Sequence, residues 1–181
     1  IPDCSEGDED DGGTDVIYPD KYRYDVCKPD ALVINLQGGV TGQVYTLTFA
    51  PMTGDSGTEK IEVSIEMPAN RRISIPTVTD TYEFEAIGYY LNITRSDGTD
   101  GDYPNNIEVY IHPKTSTWKG GAEDAESDWN TASNWSEGVP WTCTDVLIPV
   151  NCTYYPILKS GTDYYCNRIQ FEPGAEVVNT H

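Results

Sequence analysis

The sequence predicts an all-β chain, and three observations carry that expectation. Apolar and polar residues alternate at period two through most of residues 31–113, as in Ile61-Glu62-Val63-Ser64-Ile65-Glu66-Met67. Turn-forming clusters interrupt these runs every ~8–12 residues, the rhythm of an antiparallel sandwich. The aromatic weight lies in tyrosine, 13 residues against 3 Phe and 4 Trp. Such rings suit half-wet sheet faces better than dry helical bundles. No stretch carries a convincing helical period.

The strands follow in order. Ala31–Leu36 opens the series, and Val44–Phe49 and Ile61–Met67 follow. Ile73–Ile75, Tyr82–Ile87, Tyr90–Thr94 and Ile107–Ile111 complete it. Between them fall Gly38-Gly39, Gly54-Asp55-Ser56-Gly57, Pro68-Ala69-Asn70 and Asp97-Gly98, each a turn signal. Ahead of them, residues 1–25 carry the run Glu6-Gly7-Asp8-Glu9-Asp10-Asp11-Gly12-Gly13. That composition is too charged and too glycine-rich to fold alone, and it reads as an acidic linker or tail.

The charge balance excludes whole classes of partner. The 181 residues hold 11 basic and 30 acidic side chains, a net charge of −19. Such a surface repels phosphate backbones and anionic lipids, so nucleic acid and membrane surfaces are poor partners. No run approaches the ~18 apolar residues of a membrane span. Catalysis has little to stand on: the two histidines are His112, at a strand end, and His181, the last residue. Neither a GxSxG elbow nor a phosphate-cradling glycine motif is present, and we read the chain as non-catalytic.

Five cysteines in a chain this short point to an oxidising compartment. Spacing does not fix their connectivity. The favoured pairs are Cys4 with Cys27 and Cys152 with Cys166, which leaves Cys143 over. No cofactor is required by the sequence. The loop Asp97-Gly98-Thr99-Asp100-Gly101-Asp102 places three carboxylates within six positions. We read it first as a plain acidic hairpin loop, and second as a calcium loop held by Asp97, Asp100 and Asp102.

Two stretches resemble known families. Val26-Cys27-Lys28-Pro29-Asp30-Ala31 followed by Val33–Gly39 resembles the opening of immunoglobulin-like domains in large secreted Bacteroidetes surface proteins. Ile107–Pro113 is similar to their closing strand. The resemblance implies an immunoglobulin-like sandwich over residues 26–113. Beyond it run Trp118-Lys119-Gly120, Asp128-Trp129, Asn134-Trp135, Gly138-Val139-Pro140, Val146-Leu147-Ile148-Pro149, Asn167-Arg168-Ile169 and Gly174-Ala175. In that order they resemble a tryptophan-rich module that starts a parallel β-solenoid in extracellular proteins of the same group. The resemblance implies such a module, incomplete, over residues 114–181. It further implies export, by the type IX route, to the outer cell surface or medium.

Tryptophans are the remaining candidates. Trp118, Trp129 and Trp135 suit a buried cap over the end of a sheet. Trp141, in a loop after Pro140, is the candidate for an exposed ring that stacks on a sugar. The functional expectation is therefore an extracellular structural or adhesion protein whose partners are other surface chains or domains. The alternative is a carbohydrate-binding module, or an accessory domain of a secreted polysaccharide-degrading system, with glycans as partners. A solenoid needs about three or more coils to bury a continuous core. We therefore expect a fragment of a longer protein, or one completed by another polypeptide that covers Val146, Ile148, Ile169 and Phe171.

Overall fold

The computed structural model of the chain describes residues 14–52 and 58–180. The fold is all-β. Its first part contains β1 (Asp15–Pro19), β2 (Arg23–Cys27), β3 (Leu32–Gly38), β4 (Val44–Pro51), β5 (Ile61–Glu66), β6 (Arg72–Ile75), β7 (Gly88–Arg95), β8 (Gly101–Asp102) and β9 (Ile107–His112). These form a four-stranded sheet ordered β6-β3-β1-β8 and a five-stranded sheet ordered β2-β9-β7-β4-β5. The alternation read from the sequence is what joins them. Tyr45, Leu47 and Phe49 of β4 are buried, as are Ile107, Val109 and Ile111 of β9. They meet Ile17, Ile34 and Ile75 from the other sheet in one core. Each such side chain contributes about 1.5–3 kcal/mol by leaving water.

Strand direction departs from the expected antiparallel pattern. β2 runs parallel to β9, and β1 parallel to β8. The cause is a crossing between sheets: β1 belongs to the four-stranded sheet, while β2 reaches the edge of the other beside the last strand. Period-two alternation carries no direction, so the sequence was silent on this. Strand structure also begins earlier than expected, since β1 and part of β2 fall inside the segment read as a linker. Val16-Ile17-Tyr18 supplies the apolar residue, Ile17, that the core buries. The acidic run and Cys4 lie outside the described residues.

Tyr82–Ile87, expected as a strand, forms only an isolated bridge between Val78 and Glu83. Phe84 instead turns inward and is buried. It packs edge-to-face on Phe49 at 4.9 Å and on Tyr89 at 5.4 Å. The Glu85 amide donates to the Tyr89 hydroxyl at 3.0 Å, which ties this corner to the start of β7.

Residues 114–180 carry β10 (Thr115–Thr117), a 3-10 turn (Ala132–Asn134), β11 (Asp145–Ile148), β12 (Ile157–Lys159), β13 (Arg168–Phe171) and β14 (Val178–Thr180). The strands here all pair in parallel, and the isolated bridge between Trp118 and Trp135 is antiparallel. One sheet is ordered β10-β11-β13, and a second pairs β12 with β14. From β11 onward the chain alternates between the two sheets, and among the described residues no sheet closes on itself. Val146-Leu147-Ile148 and Arg168–Phe171 pair as neighbouring strands in register, Val146 with Ile169 and Ile148 with Phe171.

Candidate functional site

Three tryptophans make the second core, as the sequence predicted. Trp118, Trp129 and Trp135 are buried with Val146 and Ile148. Trp135 meets Trp118 at 5.0 Å and Trp129 at 4.8 Å, both edge-to-face, the arrangement ring quadrupoles favour. Two indoles are satisfied by backbone: Trp118 Nε1 donates to the Tyr154 carbonyl at 2.7 Å, and Trp135 Nε1 to the Trp129 carbonyl at 2.6 Å. Asn134, fully buried, organises the loop around them. Its Oδ1 accepts from the Ala122 amide at 2.8 Å, and its Nδ2 donates to the Ala125 and Asp128 carbonyls at 2.7 and 2.9 Å. This cluster is structural, and none of its indole faces is open for a ligand.

The two parts of the chain meet at a covalent elbow. Cys27, at the end of β2, is bridged to Cys143, just before β11. The favoured pairing of Cys27 with Cys4 is therefore wrong. The reason is nonlocal: β2 lies at a sheet edge beside β9, and β9 leads directly into β10 and its neighbour β11. Cys152 and Cys166 are thiols, so their expected bridge is also wrong. Parallel pairing of β11 with β13 puts Cys152 beyond the C-terminal end of one strand and Cys166 before the N-terminal end of the other. A disulfide needs its Cα atoms within about 7 Å. Burial first, then the Glu172 carboxylate near Cys152 and the Asp145 carboxylate near Cys166, push both thiols up.

Around the bridge sits an aromatic and charged cluster that the sequence did not disclose. His112 pairs in register with Cys27 and stacks on Trp141, with ring centroids 4.7 Å apart and planes 9° from parallel. Tyr165 packs on Trp141 at 4.7 Å as well. Trp141 is thus a half-buried ring held between loop and strand, not the freely exposed platform expected of it. Tyr165 is the exposed member, at 39%. On the β2 side, Asp25 Oδ1 lies 2.6 Å from His112 Nε2, and Arg23 lies 3.2 Å from Asp25 while covering the Tyr110 ring. An ionised carboxylate can only accept, so His112 Nε2 carries the proton of the neutral ring.

Burial pushes His112 below its usual 6.5, and the hydrogen bond to Asp25 only partly offsets this. Burial also raises Asp25, but hydrogen bonds from His112 and Arg23 outweigh it and hold the carboxyl low. The sign for His112 follows from proton counting. Below about pH 6.5 the unfolded chain takes up a proton that the folded chain refuses. Stability present above that pH is therefore lost as pH falls towards the folded value. We expect the thermal midpoint to fall between about pH 7 and pH 5, and His112→Gln to flatten the dependence. Equal slopes for both proteins would refute the assignment.

The acidic loop does not gather its carboxylates. Among the described residues no group of three His, Cys, Asp or Glu side chains is placed to hold a metal ion. Asp97 instead lies 3.0 Å from Arg95 Nε and accepts from the Thr99 amide at 3.0 Å. Gly101 and Asp102 form β8, paired with Asp15 and Val16, so the backbone there belongs to the sheet. Asp100 and Asp102 have no resolved partner in the loop. An open cleft of about 350 Å³ lies at the elbow, between Glu85–Ile87 and Ser136–Gly138. It contains two carboxylates, Glu85 and Glu137, and no nucleophile–base pair. The buried hydroxyls nearby are used for joining: Ser116 donates to the Gly138 carbonyl at 3.0 Å and Thr144 to the Pro113 carbonyl at 2.6 Å.

Coverage of the four apolar residues at the open end is split. Val146 and Ile148 are buried by the chain's own residues, at 3% and 0% exposure, whereas Ile169 and Phe171 remain 37% and 43% exposed. Among the described residues no helix is long and apolar enough to cross a membrane. No protein-family model and no curated protein matches the chain.

Proposed function

We propose that the chain is a non-catalytic extracellular structural or adhesion protein of the bacterial cell surface, working within a larger multidomain or multichain assembly. The observation that carries this reading is the Cys27–Cys143 bridge, which joins positions 116 residues apart and ties the first part of the chain to the second. Such a bridge persists in oxidising compartments and is rare in reducing ones. The group at the elbow best placed for proton transfer, His112, is instead occupied by Asp25 and Trp141. Within this reading, residues 26–113 are an immunoglobulin-like sandwich that also recruits β1. Two features favour it: the Tyr89 hydroxyl held by the backbone four residues upstream, and β2 running parallel beside the last strand. Residues 114–181 are read as the first coils of a parallel β-solenoid. Support comes from strands that alternate between two parallel sheets, with Asp145 opposite Arg168 and Ile157 opposite Val178. Export by the type IX route follows from the resemblance to secreted Bacteroidetes proteins.

The test is antibody labelling and protease shaving of intact source cells. Label on intact cells, removed by shaving, is the expected result; a protein reached only after lysis would refute the reading. The alternative, a carbohydrate-binding module, is favoured by exposed Tyr165 beside Trp141. Saturable glycan-array binding that Tyr165→Ala abolishes would select it.

A further inference from the structure

We infer that the outer face of the β10-β11-β13 sheet binds an uncharged saccharide. The inference rests on the glycan alternative above and gives it a site. Val146 and Ile148 turn into the tryptophan core, so Asp145 and Leu147 of the same strand turn outward. Register places Thr115 and Arg168 on either side of Asp145, and Thr117 and Gln170 on either side of Leu147. These six side chains line an open cleft of about 270 Å³. Arg168 stands in register with Asp145, yet among the described residues it makes no ion pair. Asp145 commits one oxygen, Oδ1, to Asn167 Nδ2 at 2.7 Å. A guanidinium and a second carboxylate oxygen thus face solvent without a charged partner.

An aromatic row continues this ladder beyond the start of the strands. His112, Trp141 and Tyr165 precede β10, β11 and β13 in that order. Their ring centroids step by 4.7 Å and again by 4.7 Å, which is the ~4.7–4.9 Å spacing of neighbouring strands. His112 and Trp141 cover one another, and Tyr165 ends the row 39% exposed. Tyr165 lies three residues before Arg168, within about 10 Å along the chain, so an open ring borders the polar cleft.

Chemistry selects the occupant. β11 is paired on both edges, so its face offers side chains and no free backbone for an added strand. A polyanion is repelled by the net charge of −19. An apolar ligand would find Leu147 alone among five polar side chains. A sugar hydroxyl donates and accepts at once. Asp145 accepts, Arg168 donates, and the two threonine hydroxyls and the Gln170 amide do both. The C–H face of a pyranose suits Leu147 and the Tyr165 ring.

The test is isothermal titration calorimetry of the whole protein with cellohexaose, xylohexaose, mannohexaose and maltohexaose, and with oligogalacturonate as the charged control. At least one neutral hexasaccharide should bind saturably at one per chain, and oligogalacturonate more weakly. Arg168→Ala with Gln170→Ala should weaken that binding about tenfold or more, since each removes hydrogen bonds to the ligand. Both side chains are exposed, so the thermal midpoint should hold and the loss cannot come from unfolding. Saturating sugar should also shift the amide resonances of residues 115–117, 145–147 and 168–170. Binding lost in Tyr165→Ala but untouched by the double variant would overturn the inference and leave the glycan alternative standing. No binding by any of the four sugars would overturn both. Tighter binding of oligogalacturonate would overturn the ligand class. The cell-surface reading is decided separately by the shaving experiment.

Discussion

Trp135→Ala should destabilise residues 114–180 by about 3–5 kcal/mol, the range for deleting a large buried aromatic ring. Trp135 stands between Trp118 and Trp129, so its loss removes two edge-to-face contacts and leaves a void in a core of few members. It also leaves the buried Trp129 carbonyl without its indole donor. A companion variant, Asn134→Ala, keeps every ring but strands one amide and two carbonyls. Each stranded buried group costs about 1–3 kcal/mol, so the polar variant should rival the aromatic one. Urea denaturation followed by tryptophan fluorescence measures both. A loss below about 1 kcal/mol in either would mean the cluster is not the core described here.

Removing the elbow bridge is the second large effect. For a loop closed over 116 residues, the chain-entropy model gives about 4–5 kcal/mol for a native disulfide. Cys27→Ser with Cys143→Ser should therefore lower the thermal midpoint sharply. Reductant should do the same to the parent protein and nothing further to the double variant. The Trp cluster is expected to unfold at lower temperature than the sandwich once the bridge is gone, because it has the smaller core. A parent protein whose midpoint is indifferent to reductant would contradict the pairing.

What the sequence disclosed and what it hid divide along one physical line. Local alternation located β3, β4, β5, β6, β7 and β9, because each turns every second side chain towards a shared core, fully buried in all but β5. Tryptophan burial was legible for the same reason: large apolar rings beside glycines suit a compact cap. Pairing was not legible. Which strand lies beside which depends on where β1 and β2 leave one sheet for the other, and neither residue type nor spacing records that step. The misassigned partner of Cys27 follows from it. Cys27 meets Cys143 only because β2 is the neighbour of β9, and His112 meets Trp141 at the same junction. Tyr82–Ile87 misled in another way. Its alternation is genuine, but Phe84 serves as a plug from a corner, and the period of a single inward residue mimics that of a strand. In the acidic loop Asp97 answers Arg95 rather than its fellow carboxylates, a pairing that residue types alone do not disclose.

Two β units are locked by one covalent elbow, the Cys27–Cys143 bridge. Peptide mapping without reduction, on protein taken from its native cells after rapid alkylation, tests it most directly. The account requires a linked pair of peptides containing Cys27 and Cys143, with Cys152 and Cys166 alkylated as thiols. Cys27 and Cys143 both recovered alkylated, or either recovered joined to a different cysteine, would contradict it.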